Sequence, residues 1–410
     1  MACRCRFCGA SLRHKFVDLG MSPLCESYVS LDQINRMERF YPLVAYTCSE
    51  CYLVQLEAYV SADQIFSEYA YFSSYSDSWV EHARRYVDQM LDRFALDVHS
   101  RVVELASNDG YLLQHFVARG IPSLGVEPAA NVAEVAVSKG VPTLVEFFGL
   151  ATAQALVAEG MKADLLIGNN VLAQVPDLND FVGGMKFLLN ARGVITLEFP
   201  HLLNLMAENQ FDTIYHEHFC YFSFTTFVNI FAAHGLLVFD VEELPTHGGS
   251  LRIYACHAGD LSKPVEPRVG ELLKRETARG WDNLGAYGTF SEKVKETKRK
   301  LLSFLIKAKG EGRTVAGYGA PGKGNTLLNY CGIRTDFLDY TVDRNIYKQG
   351  KFLPGTHIPI FAPEKLMETR PDYVLILPWN IKDEIMSQHS YIRQWGGRFV
   401  VPIPEVHVFD

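Results

Sequence analysis

The sequence predicts an α/β protein: a small metal-binding module followed by two blocks built on parallel, doubly wound sheets. Three observations carry this prediction. Two C-x2-C pairs stand near the start, short apolar strands alternate with helical spans from Arg101, and a second such alternation begins at Thr314. Strands separated by helices point to a parallel sheet covered on both faces. With 410 residues, 48% hydrophobic and 21% charged, the chain can bury a full core spread over two or three domains.

Residues 1–66 are the metal-binding module. Cys5-Arg-Phe-Cys8 and Cys48-Ser-Glu-Cys51 have the spacing of zinc-ribbon knuckles. Four thiolates complete a tetrahedral zinc and leave no position for water or substrate, so the expected ion is structural; the alternative is four unmetallated buried thiols. Cys3 lacks the spacing to Cys8 that Cys5 has. Cys25, Cys220, Cys256 and Cys331 read as ordinary core thiols. The module ends in the alternating segment Leu53-Val-Gln-Leu-Glu.

Residues 67–260 form the central block. It opens on the aromatic stretch Tyr69-Ala-Tyr-Phe-Ser-Ser-Tyr-Ser-Asp, a candidate lid or hinge, which runs into a helical pattern through Trp79, Ala83, Tyr86, Val87 and Met90. Strands are expected at Val102-Val-Glu-Leu-Ala, Ser123-Leu-Gly-Val-Glu, Ala163-Asp-Leu-Leu-Ile-Gly and Gly193-Val-Ile-Thr-Leu-Glu. After the first comes Glu104-Leu-Ala-Ser-Asn-Asp-Gly110, a small-residue turn that lets backbone approach a ligand at the carboxyl edge of the sheet. The second ends in Glu127, placed to accept hydrogen bonds from the ribose hydroxyls of a nucleoside. Asn169 and Asn170 follow the next strand and face the same edge.

These motifs, in this order, and above all the run Tyr215-His-Glu-His-Phe-Cys-Tyr-Phe-Ser223, resemble the sugar C-methyltransferase family that makes branched deoxysugars. The resemblance spans nearly the whole chain and includes the cysteine knuckles, the Tyr-Phe-Ser-Ser segment at Tyr71, His247-Gly-Gly-Ser-Leu-Arg, and Tyr318-Gly-Ala-Pro-Gly-Lys-Gly-Asn-Thr. It implies a Rossmann-like central domain binding S-adenosylmethionine through Glu104, Asn108, Gly110, Glu127, Glu146 and Asn169. It implies methylation at carbon 3 of a nucleotide-linked 4-keto-6-deoxyhexose, with zinc structural. By the same resemblance His218 is the base, Tyr215 bonds the keto or enolate oxygen, Glu217 orients or tunes the imidazole, and Tyr71, Asn170 and Gln174 enclose the sugar. Such a reaction needs a base, an oxyanion stabiliser and a methyl donor to converge, because a proton beside a ketone is only weakly acidic.

One position departs from the family. In Asn170-Val-Leu-Ala-Gln-Val, Gln174 stands where the family commonly has a histidine. Glutamine bonds a sugar oxygen but shuttles no proton at neutral pH, which favours a single base at His218.

Residues 261–305 read as a charged helical connector, including Glu292-Lys-Val-Lys-Glu-Thr-Lys-Arg-Lys-Leu. Residues 306–410 form a second Rossmann-like block. Gly317-x-Gly319-x-x-Gly322 matches a dinucleotide fingerprint, with Asp343 at the end of the next strand, and the same run nearly matches a Walker loop. Gly324 takes the place of the magnesium-binding Ser or Thr, which argues against nucleotide hydrolysis. Amides at a helix start plus Lys323 suit a diphosphate; Arg344, Lys348 and Lys351 add local positive charge, and Lys323, Asn325, Asp343 and Arg344 are the expected substrate-binding residues of this block. In agreement with the family, this block is assigned to the sugar nucleotide.

The formal charge of -8 offers no long-range attraction for a phosphate polymer or an anionic membrane. No apolar run approaches the roughly 20 residues of a membrane span. The expectation is a cytoplasmic monomer without nucleic-acid or membrane partners. Methylation on N or O, an NAD-dependent oxidoreductase using the Gly317 fingerprint, and a non-catalytic zinc-ribbon interaction protein are the competing readings.

Overall fold

The computed structural model describes residues 3–66 and 72–410, in which the strands form three sheets. The first sheet is antiparallel and runs His14–Ser22, Tyr41–Thr47, Val54–Leu56, then Cys220–Tyr221. Its fourth strand belongs to the Tyr215–Ser223 run, so the central block lends a strand to the cysteine module. The third strand departs from the sequence pattern. The segment alternates in sequence, yet all three residues of Val54–Leu56 are buried, because the first knuckle covers Gln55, whose Oε1 accepts from Arg6 N at 2.8 Å.

The central sheet has seven strands in the order Leu236–Leu244, Ser250–His257, Leu189–Pro200, Ala163–Asn169, Val102–Leu105, Ser123–Val126, Thr143–Leu144. The last five are mutually parallel, and Ser250–His257 runs antiparallel between its neighbours. All four residues of Val102–Leu105 are buried, the mark of a strand covered on both faces. From this strand the chain winds outward one way through Ser123–Val126 and Thr143–Leu144, then returns to start Ala163–Asn169 on the other side. The crevice at this reversal lies between the loops that leave Val102–Leu105 and Ala163–Asn169, where open α/β sheets bind ligands.

The helix Asp77–Phe94 packs on this sheet. Ser76 Oγ accepts from Trp79 N at its start, and Ala83, Tyr86, Val87 and Met90 form the buried stripe at helical spacing. The Tyr-Phe-Ser-Ser stretch that precedes it is described only from Phe72. There it is tied down rather than free: Ser73 N donates to Asn108 Oδ1 at 2.8 Å and Ser74 N to Asp109 Oδ2 at 3.2 Å.

The third sheet runs Ile360–Phe361, Thr341–Val342, Val315–Tyr318, Tyr373–Ile376, Arg398–Val401, His407–Phe409, parallel except for the last strand. The helix Phe290–Gly310, expected as a connector, is a core element of this part. Its stripe of Phe290, Val294, Leu301, Leu305 and Ala308 is buried with the third sheet's residues, and Phe290 stacks on Phe16 of the first sheet at 4.6 Å. Among the described residues no helix is long and apolar enough to cross a membrane.

Candidate active site

The zinc site is built from two turns. The Sγ atoms of Cys5 and Cys51, and of Cys8 and Cys48, are 3.5 Å apart, and all four lie within 4.8 Å of one another. Zinc–sulfur bonds of about 2.3 Å in a tetrahedron set sulfurs about 3.8 Å apart, so this donor set fits zinc with no ligand position left over. The knuckles also brace the central block. Leu56 N donates to Phe219 O at 2.9 Å, Thr226 Oγ1 donates to Cys51 O at 3.0 Å, and the Arg6 guanidinium lies over the Phe219 ring.

A cavity of about 330 Å³ opens at the reversal of the central sheet, with walls from all three parts of the chain. One end is a nucleoside-like pocket. Glu127 sits at the end of its strand with Oε2 accepting from Asn108 N and Oε1 from Ala129 N, both at 2.9 Å. Each carboxylate oxygen retains a second acceptor site, so the carboxylate is fixed yet able to take ribose hydroxyls. Asn108 itself is held at φ 50. Phe147, Phe148, Val171 and Phe181 supply an apolar wall beside it. A fixed acidic acceptor next to an apolar slot fits the adenosine half of S-adenosylmethionine.

The other end carries the Tyr215 run. His218 and Tyr215 are half-buried in the cavity wall with ring centroids 4.1 Å apart. His218 Nδ1 lies 3.1 Å from Thr213 O. A carbonyl can only accept, so Nδ1 carries the proton and Nε2 is left as the basic nitrogen. Burial pulls the His218 pKa down to about 4, and the imidazole is neutral at pH 7. Burial also keeps the Tyr215 phenol well above its ordinary pKa, so it stays a donor. The partner that orients His218 is therefore Thr213 and not Glu217, as the sequence reading had it. Glu217, in the same wall, accepts instead from the Cys25 thiol at 3.3 Å.

Of the residues singled out from sequence, the cavity brings together Asn108, Glu127, Asn169, Asn170, Gln174, Tyr215, Glu217, His218 and Lys323. Others stand off its wall. Glu104 is fully buried behind it, with no hydrogen-bond partner for either oxygen among the described residues; burial, then the charges of Glu127 and Asp109, push its pKa well above the ordinary carboxylate range. Gly110, at φ 74, packs against Ala136 and Val141, while Glu146 is exposed. Asn325 turns inward to donate to Cys25 O at 2.6 Å. Asp343 holds the glycine-rich turn, accepting from Ala320 N at 2.7 Å and Asn345 N at 2.8 Å, and Arg344 is exposed. The oxyanion expected to hold a dinucleotide ribose is thus engaged in shaping its own loop. Tyr71 lies outside the described residues.

Sequence reasoning missed several wall residues. His247 reaches the cavity from a turn where it sits at φ 52; its Nε2 accepts from Asn170 Nδ2 at 3.2 Å, and burial lowers its pKa to about 4. A second neutral histidine is thereby present although Gln174 replaces the one the family pattern provides. The signal in the sequence was the Gly248-Gly249 pair after it, in a segment that the resemblance included without giving His247 a role. Glu26 lines the cavity from the first module, while its neighbour Cys25 is a buried thiol, as the sequence suggested. Glu26 lies 3.4 Å from Lys348 Nζ, which also donates to Ala320 O at 3.0 Å. Burial would lower the Lys348 pKa, but the Glu26 and Asp343 charges raise it. Gly322 is small by necessity here, since a Cβ would stand 2.9 Å from Cys25 Sγ.

Comparison with known proteins gives the family. Residues 245–404 match the family described as C-methyltransferase C-terminal domain, residues 79–241 a methyltransferase domain, and residues 5–66 a domain described as zinc binding. The C-methyltransferase NovU of Streptomyces niveus is 36% identical over 406 residues, covering 99% of this chain and 96% of that one. Among solved structures, magnesium protoporphyrin IX methyltransferase (ChlM) from Synechocystis PCC 6803 is 15% identical, with a TM-score of 0.33 over 44% of this chain and 82% of that one. An S-adenosylmethionine-dependent methyltransferase from Clostridium acetobutylicum ATCC 824 is 10% identical, with a TM-score of 0.36 over 44% and 92%. By its full-length similarity to NovU, the chain belongs to the S-adenosylmethionine-dependent C-methyltransferase family.

Proposed function

We propose that the enzyme methylates carbon 3 of a nucleotide-linked 4-keto-6-deoxyhexose. The observation that carries this reading is the neutral His218, its Nδ1 fixed by Thr213, in one cavity with the Glu127 pocket. His218 Nε2 removes the proton alpha to the ketone; the C–H pair becomes the enolate double bond and the carbonyl pair moves onto oxygen. The Tyr215 hydroxyl donates to that oxygen. When bound, S-adenosylmethionine supplies the electrophilic methyl that the carbanion takes. Asn170 and Gln174 enclose the sugar, with His247 bonded to Asn170 in the same wall. The amino end of the helix Gly322–Cys331 takes the diphosphate, in a turn shaped by Asn325 and Asp343, with Arg344 at its exposed side.

The cavity is completed within one chain, which supports a monomer, and four thiols retained as zinc ligands suit a reducing compartment such as the cytoplasm. The test is mass spectrometry of the purified protein with S-adenosylmethionine and a panel of thymidine and guanosine diphosphate 4-keto sugars. A gain of one methyl, placed on carbon 3 by NMR, is expected. Methyl gain on N or O, or none with S-adenosylmethionine still bound, overturns the acceptor assigned here.

A further inference from the structure

Lys323 was expected to hold a diphosphate, but its surroundings point elsewhere. Its Nζ donates to Asn380 Oδ1 at 2.7 Å and lies 4.6 Å from the Trp379 ring centroid, in the same cavity wall as His218 and His247. The Trp379 indole N–H in turn donates to Asp212 Oδ2 at 2.7 Å. Asp212 is fully buried, and its Oδ1 has no hydrogen-bond partner among the described residues. A buried carboxylate left with a spare oxygen is expensive unless a cation stands nearby. Lys323 is that cation, acting across the Trp379 indole that both groups contact and not through a direct ion pair, and it lines the same cavity as His218.

On the reading of the reaction given above, we infer that the Lys323 ammonium donates to the enolate oxygen and that Asp212 is the positioning residue that keeps it charged. When His218 takes the alpha proton, negative charge arrives on the ketone oxygen; the ammonium meets it with a hydrogen bond and a full positive charge. The Tyr215 phenol adds a neutral donor. The step balances without any further reactant: the proton resides on His218 Nε2, the oxygen pair re-forms the carbonyl as the C=C pair bonds the methyl carbon, and the broken S–C pair would stay on the sulfur of the methyl donor.

The electrostatics agree. Burial pulls the Lys323 pKa down to about 8, and Asp212 opposes that pull. Burial raises Asp212 to about 6, with the Lys323 charge and the Trp379 bond lowering it. The other titratable groups that Lys323 faces are His218 and His247, both neutral at pH 7. The active ammonium is therefore present at pH 7 and lost as pH rises through about 8.

The test measures deuterium uptake alpha to the ketone of a thymidine diphosphate 4-keto-6-deoxyhexose in heavy water, beside kcat and KM for methylation. K323Q is expected to lose about 100-fold or more in both exchange and kcat, the usual cost of an oxyanion donor, with KM nearly unchanged. K323R, which keeps the charge, should retain more exchange than K323Q. D212N should move the alkaline limb of the exchange profile to lower pH, and this readout decides if K323Q fails to fold. Normal exchange in K323Q with a raised KM would return Lys323 to the diphosphate, and an unmoved limb in D212N would overturn the pairing. If the wild type neither exchanges nor methylates, the sugar reading falls and this inference with it.

Discussion

The Nδ1–H of His218 donates to the carbonyl oxygen of Thr213, 3.1 Å away and five residues earlier in the chain. This single bond fixes the tautomer and turns Nε2 toward the cavity. Replacing His218 by Ala should slow methylation and alpha exchange by about 100- to 10,000-fold, while S-adenosylmethionine binding, read by calorimetry, stays within a few-fold of wild type. Near-normal turnover in that variant would refute its role as base.

The same residue sets the acid side of the pH profile. The neutral imidazole is the active form, and its pKa is lowered to about 4. Activity should therefore hold down through pH 6 and fall only as pH approaches 4, provided the protein stays folded. An acid limb near the ordinary histidine value, measured as kcat/KM against pH, would show that burial does not control this group.

Glu127 reports on the methyl donor. Its two oxygens take the amides of Asn108 and Ala129. In E127Q one of those amides meets an NH2 group, which costs about 1–3 kcal/mol and weakens S-adenosylmethionine binding roughly 10-fold or more. The KM for the sugar nucleotide should change little. Unaltered S-adenosylmethionine affinity would remove Glu127 from the cofactor set.

Zinc acts through the fold. The strand Cys220–Tyr221, two residues after His218, pairs with Val54–Leu56 just beyond the second knuckle. C48S, or prolonged chelation, should lower the melting temperature by on the order of 10 °C, as loss of a structural metal site costs several kcal/mol. Exchange activity should fall with it. Elemental analysis should give one zinc per chain, and a variant with no zinc but normal melting would show the site to be dispensable.

A second buried carboxylate anchors the region behind the catalytic run. Glu276 accepts from Phe224 N and Thr225 N at 2.7 Å, Thr225 Oγ1 at 2.6 Å and His201 Nε2 at 2.7 Å. Burial alone would raise its pKa, but His201 and Thr225 outweigh that and lower it. A depressed carboxyl pKa stabilises the fold above the unfolded-state value and loses that contribution as pH falls through the folded one. E276A should cost about 3–5 kcal/mol in urea unfolding at pH 7, and the gap to wild type should narrow toward pH 4. A gap independent of pH would mean that packing, not charge, accounts for the loss.

Much of this enzyme is legible along the chain because the features that reveal it are local. Knuckle spacing names Cys5, Cys8, Cys48 and Cys51, since a metal needs its ligands a fixed few residues apart. The strand ends at Glu127 and Asn169 announce themselves because hydrophobic runs and turns have short periods. The run from Tyr215 to Ser223 identifies the family for the same reason. What the sequence left open are contacts between distant segments. Thr213 rather than Glu217 orients His218 because the turn folds back on itself, and Glu217 instead meets Cys25 from the first module. His247 enters the cavity from the far edge of the central sheet. Glu104, at a strand position that reads as cofactor-facing, falls behind the wall because its strand is covered on both faces of the sheet. Lys323 gains Asp212 as its counter-charge only when the third sheet docks against the catalytic turn. Spacing along a chain fixes what neighbours can do together; only the packing of whole sheets decides which remote charge each of them meets.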